Sequence, residues 1–89
     1  MQETATRIES ILRRRFRPLH LELRDDSAKH VGHAGATSGG GHYHVRIVSE
    51  LFRGKSRLEQ HRLVNDALAD LVGREVHALA LETRTPEEA

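Results

Sequence analysis

The hydrophobic pattern changes period at Pro18, and this switch constrains the fold more than any other feature of the 89-residue sequence. Before it, Ala5, Ile8, Ile11, Leu12 and Phe16 recur at steps of three and four, the spacing of one face of an amphipathic helix. After it, Leu19, Leu21 and Leu23 alternate with His20, Glu22 and Arg24, the period-two pattern of a strand with one buried face. A residue that precedes proline is pushed out of the helical region, so the helix is expected to stop at Arg17.

Residues 26–41 then form a stretch rich in Gly, Ser and Ala, expected to be a flexible loop. Tyr43, Val45 and Ile47 alternate with His44 and Arg46 and mark a second strand. "SELFRGKSRLEQHRLVNDALADLVG" reads as a short helical turn, a tight turn at Gly54 and a long helix stopped by Gly73. Ser56 and Glu59 supply the S-x-x-E capping box that satisfies backbone N–H groups at the start of that helix. Leu58, Val64, Ala67, Leu68, Leu71 and Val72 are its expected apolar stripe, with Arg57, Glu59, Arg62, Asp66 and Asp70 facing water. "EVHALALET" is a largely apolar third strand, and "RTPEEA", residues 84–89, is a polar tail expected to fray.

The predicted order is therefore αββααβ, an α+β fold with a three-stranded mixed sheet covered by helices on one face. A connection through helices makes the second and third strands parallel, with a right-handed crossover. Their starting ends then lie side by side. That places His77, near the start of the third strand, beside the end of the Gly-rich loop; an antiparallel third strand would leave it roughly 20 Å away.

Eighty-nine residues make one domain, with charged residues at 30% and no apolar run near the ~20 residues that a membrane span needs. "MQETATRIES" lacks the basic start and apolar stretch of a secretory signal, so the cytoplasm is the expected compartment. The chain has no cysteine, which removes disulfides, thiol nucleophiles and thiolate ligands from its own repertoire. A net charge of +1 and a pI near 8.4 fall short of the pI above ~9 expected of a dedicated nucleic-acid binder. No motif gathers Ser, His and Asp around a nucleophile and no P-loop follows a strand, so an enzyme is not expected.

Four of the seven histidines lie in "KHVGHAGATSGGGHYH", residues 29–44. His42 and His44, two residues apart on one strand face, could chelate an ion, but such a pair more often lines the polar face of a sheet. His61 lies at the edge of the helical stripe, where packing or a hydrogen bond is expected, and His20 is on the outer face of the first strand.

The segments "IVSELFRGKS", "HRLV" with the following "AL", and "VHALALETRTP", preceded by "LELRDDSAKH", resemble the BolA family over nearly the whole chain. That resemblance implies a type II KH-like fold and a single BolA-like domain over residues 1–89. It also implies a partner, a monothiol glutaredoxin bound as a heterodimer, with which BolA-like proteins share a [2Fe-2S] cluster in iron homeostasis and cluster trafficking. Carried onto this chain, the ligands fall on His30 of the loop and His77 of the last strand, with His33 as the alternative loop ligand. Two imidazoles on one iron is a Rieske-like arrangement, and the other iron still demands two thiolates. A Cys-free chain cannot supply them, whereas a glutaredoxin cysteine and bound glutathione could. Imidazole binds metal only when neutral, so cluster binding is expected to weaken as pH falls through the histidine range. Gln60 and Asn65 depart from the family pattern on what is expected to be helix surface.

DNA is the second candidate partner, since family members are also described as transcriptional regulators. "FRGKSR" joins two helices as in a helix-turn-helix or KH turn and offers Arg53, Lys55 and Arg57 beside a helix N-terminus. It carries only Gly54 where the KH loop wants G-x-x-G, and aromatic residues for base stacking amount to 3%. Alone, the chain is expected to be a monomer or a weak homodimer.

Overall fold

In the computed structural model, which describes residues 3–25 and 41–89, helix α1 runs Glu3–Phe16 and ends where Pro18 requires. Arg17 turns the chain with a left-handed φ of 46°, and its N–H reaches back to the Arg13 carbonyl at 3.1 Å. The Phe16 carbonyl is satisfied from far along the sequence: the fully buried Ser49 hydroxyl donates to it at 2.8 Å. One serine thus joins the end of α1 to the end of the second strand.

Strand β1, His20–Asp25, pairs antiparallel with β2, Gly41–Val48, and β2 pairs parallel with β3, Val76–Arg84, in the order β1-β2-β3. A 3₁₀ turn at Glu50–Phe52 and helix α2, Arg57–Ala67, connect β2 to β3. The expected αββααβ order around a mixed three-stranded sheet is observed, with its short helix formed as a 3₁₀ turn. Tyr43, Val45 and Ile47 face the helices and join Ile8, Leu12 and Phe16 of α1 and Val64 of α2 in one core. Phe52 plugs the end of that core with its ring 5.3 Å from Phe16. Each such fully buried side chain contributes roughly 1.5–3 kcal/mol over exposure, which outweighs any single surface contact in this molecule.

Several expectations are corrected. Helix α2 is shorter than its apolar stripe, closing at Leu68, where φ is −101° and the N–H is shared among the carbonyls of Val64, Asn65 and Asp66. Leu68 and Leu71 still reach the core, carried by successive turns that end at Gly73 (φ 88°), so burial continues without helix, whereas Val72, expected in the same stripe, is turned out and 41% exposed. Leu58 and Gln60 have exchanged roles. Leu58 is 60% exposed, while Gln60, expected on the surface, is 3% exposed. Its Nε2 donates to the carbonyls of Phe52 and Lys55 at 3.2 and 3.0 Å, and its Oε1 accepts from the Thr83 hydroxyl at 2.7 Å. A buried polar group with all its partners costs little, and here it ties α2, the preceding turn and β3 together.

The third correction concerns Leu19, which is 64% exposed: it precedes β1, on the bend from α1, with only its N–H engaged, to Val48. The fourth concerns the tail. Thr85–Ala89 does not fray but folds into a 3₁₀ turn at Pro86–Glu88, in which the Glu88 carboxylate accepts from the Thr85 N–H at 2.9 Å. Gly41, placed in the loop from sequence, is the first residue of β2; the rest of that loop, 26–40, lies outside the described residues.

The Gln60 network predicts a large local cost. Gln60→Ala strands the Thr83 hydroxyl and the Lys55 carbonyl, while the Phe52 carbonyl keeps the Lys55 N–H; at about 1–3 kcal/mol for each unsatisfied group, urea denaturation should show a loss of roughly 2–4 kcal/mol. A loss below about 0.5 kcal/mol, the level of an ordinary surface substitution, would contradict the buried role.

Candidate functional site

His77 is the second residue of β3 and is exposed at the end of the sheet where β2 begins. The parallel register explains its orientation. Gly41 pairs with Val76 and His42 with Ala78, so His77 is the extra residue of a β-bulge. Beyond the bulge the phase is reversed: Val76 points inward from one side of it, and Leu79, Leu81 and Thr83 point inward on the other. His77 and Ala78 are both left facing out.

This brings two imidazoles together. The rings of His42 and His77 stack with centroids 5.9 Å apart and planes 22° apart. His42 thus joins the candidate site, where strand alternation alone groups it with His44 as sheet lining. His44 does follow that expectation, lying 3.9 Å from Glu82, which also receives Arg46 and Arg84 at 3.3 Å. The legible signal was the spacing within "VHALAL". Val76 and Leu79 cannot both face inward on a regular strand, so one residue between them had to bulge.

The neighbourhood of the pair is firmly built. The Gly41 N–H donates to the Glu75 carbonyl at 2.7 Å, and the Glu75 carboxylate takes Arg7 of α1 at 2.8 and 2.9 Å. Beneath Gly41 lies the Tyr43 ring, so close that a Cβ at position 41 would stand 2.2 Å from Tyr43 Cε2. Burial raises the Tyr43 pKa, assisted by the charges of Asp25 and Glu75, while a hydrogen bond with Thr4 acts the other way. Tyr43 therefore stays neutral through the physiological range.

The remaining candidates are scattered. His30 and His33 lie outside the described residues. His20 pairs with Glu22 at 2.7 Å, which holds the Glu22 carboxyl below its usual range, and this pair is on the exposed face of β1. His61 sits on α2 with its Nε2 buried and without a hydrogen-bond partner among the described residues, so packing is its visible role. Among the described residues no group of three His, Asp or Glu could hold a metal ion. The His42–His77 pair, two imidazoles, falls short of such a group.

The basic turn is already engaged. Arg53 pairs with Glu87 and lies 3.9 Å from Glu50; Arg57 reaches the Thr83 carbonyl and lies 3.4 Å from Glu88. The Ser56 hydroxyl accepts from the Glu59 N–H at 3.1 Å, and the Glu59 carboxylate accepts from the Ser56 N–H at 2.8 Å. That bond to the Ser56 backbone also holds the Glu59 carboxyl below its usual range. The capping box closes the helix N-terminus on itself, and Lys55 of the turn is exposed and makes no ion pair among the described residues.

The contact under Gly41 is testable by coupling. Gly41→Ala forces the Tyr43 ring to move and should cost about 1–3 kcal/mol of stability. In the Gly41→Ala/Tyr43→Leu double variant a coupling of at least about 0.5 kcal/mol should appear, measured by urea unfolding of all four proteins; strict additivity would contradict the packing described.

Comparison with known proteins fits this architecture. The family model described as BolA-like protein matches residues 12–88. SufE-like protein 1, chloroplastic/mitochondrial, of Arabidopsis thaliana is 39% identical over 87 residues, covering 92% of this chain and 24% of that protein's length. The DNA-binding transcriptional regulator BolA of Escherichia coli (strain K12) is 43% identical over 82 residues, covering 92% of this chain and 75% of the regulator. The solved BolA domain of SufE1 from Arabidopsis thaliana superposes with a TM-score of 0.85 at 36% identity, covering 100% of this chain and 99% of the other. By family match, relatives and fold alike, this chain belongs to the BolA-like family.

Proposed function

We propose that this BolA-like chain is a cytoplasmic, non-enzymatic adapter that binds a monothiol glutaredoxin as a heterodimer and shares a [2Fe-2S] cluster with it. The observation that carries this reading is the bulge that turns His77 outward against His42, at the strand end from which the histidine-bearing loop departs. Imidazole is a fitting donor for iron, and two imidazoles on one iron is a known cluster arrangement. The donor set is nonetheless incomplete within the chain: there is no cysteine, and no third ligand stands near the pair among the described residues.

In this reading His77 and one loop histidine, His30 or His33, hold one iron, and the glutaredoxin cysteine with glutathione supplies sulfur to the other. Such a cluster would supply electron or iron–sulfur transfer, and the chain's own task is to present neutral imidazoles. The Arg7–Glu75 pair and the Gly41–Glu75 hydrogen bond fix the backbone that leads into His77. His42 is the supporting ring, close enough to restrict how His77 turns.

A DNA-binding regulator is the second reading, favoured by the name of the Escherichia coli relative and by Arg53, Lys55 and Arg57. It is weaker for this chain because Arg53 and Arg57 already meet carboxylates. Charge reversal at Lys55 that leaves DNA affinity unchanged would remove the surface on which it depends.

The test is cluster assembly with a glutathione-loaded monothiol glutaredoxin, followed by visible absorption and circular dichroism of the mixed complex. His77→Ala should abolish the heterodimer spectrum and leave only that of the glutaredoxin homodimer. Among His30→Ala and His33→Ala, one should reproduce that loss and so identify the loop ligand. An unchanged spectrum in His77→Ala would refute the assignment.

A further inference from the structure

The segment after β3 does something that the cluster reading does not use. Thr85–Ala89 folds back so that Glu87 meets Arg53 and Glu88 meets Arg57, 34 and 31 positions away in sequence. Glu88 is held in place from its own side as well, by the Thr85 N–H at 2.9 Å, which together with Arg57 lowers its pKa. Pro86 at the start of the 3₁₀ turn stiffens the backbone that presents both carboxylates. The turn they cover is exposed throughout Arg53–Arg57, and Gly54 has nothing within 4 Å of the place a Cβ would occupy. In sequence the turn is flanked by Leu51 and Leu58, apolar side chains that are 52% and 60% exposed.

We infer that Glu87 and Glu88 are an intramolecular occupant of the Arg53–Arg57 turn, and that this turn is a docking surface for an acidic segment of a partner protein that takes their place. Three features favour a carboxylate peptide over nucleic acid. The arginines already accommodate two carboxylates presented by a short stretch of backbone. The capping box has filled the helix N-terminus that a phosphate would otherwise use. Exposed Leu51 and Leu58 offer apolar contact that a peptide can match and a duplex backbone cannot. Exposed ion pairs of this kind are weak and screened by salt, so the occupant is exchangeable. Lys55, with no ion-pair partner among the described residues, is the foothold for the incoming chain.

The experiment measures binding of a fluorescein-labelled hexaglutamate peptide at low ionic strength to wild type, Glu87→Gln and Glu87→Gln/Glu88→Gln. The double variant should bind about fivefold more tightly, the ratio that two exposed ion pairs of ordinary strength release, and the single variant about twofold. The single variant keeps the Glu88 cap intact, so it reads the same effect if the double variant unfolds. Adding Arg53→Gln and Lys55→Gln should erase the gain. Equal affinity of wild type and both variants would overturn the inference, as would a gain that survives loss of Arg53 and Lys55. A 12-base-pair duplex that gains more than the peptide would overturn it in favour of nucleic acid.

Discussion

The parallel pairing of β2 with β3, with its single bulge at His77, is the constraint on which the rest of the molecule depends. It lets Val76 and Leu79 both reach the core, and it leaves His77 stacked on His42. The same residue count therefore serves packing and chemistry. A regular strand would have to give up either the burial of Val76 or the phase of Leu79, Leu81 and Thr83, and with Thr83 the hydrogen bond to Gln60. Around this pairing α1 acts as a clamp, through Ser49 at one end of β2 and Arg7–Glu75 near the other.

Much of this was legible because it is local. The change of period at Pro18, the capping box at Ser56 and Glu59, and the alternation in both early strands from Leu21 onward each depend on a few neighbouring residues, and the structure has all of them. The parallel pairing followed from the length and character of the connection. Less legible were features whose cause lies far along the chain. Gln60 is buried because Thr83 waits 23 residues later, and Leu58 is exposed because the helix turns Gln60 inward instead. The tail looked like a fraying end because its composition is polar, and only the fold reveals that Arg53 and Arg57 stand opposite its carboxylates.

The site was half legible in the same sense. Topology alone places His77 beside the start of β2. Its ring partner His42 could not be singled out in this way, because strand alternation groups His42 with His44, whereas the bulge separates their fates, giving one to His77 and the other to Glu82. The chain brings imidazoles but no thiol, so the shared cluster we propose must take its thiolates from a second molecule.

The most direct test of the proposed shared cluster is electron–nuclear double resonance on the reduced heterodimer, with 15N-histidine in this chain only and an unlabelled glutaredoxin. Two 15N imidazole couplings are expected, falling to one in His77→Ala. A reduced cluster that shows no 15N coupling from this chain would contradict the account.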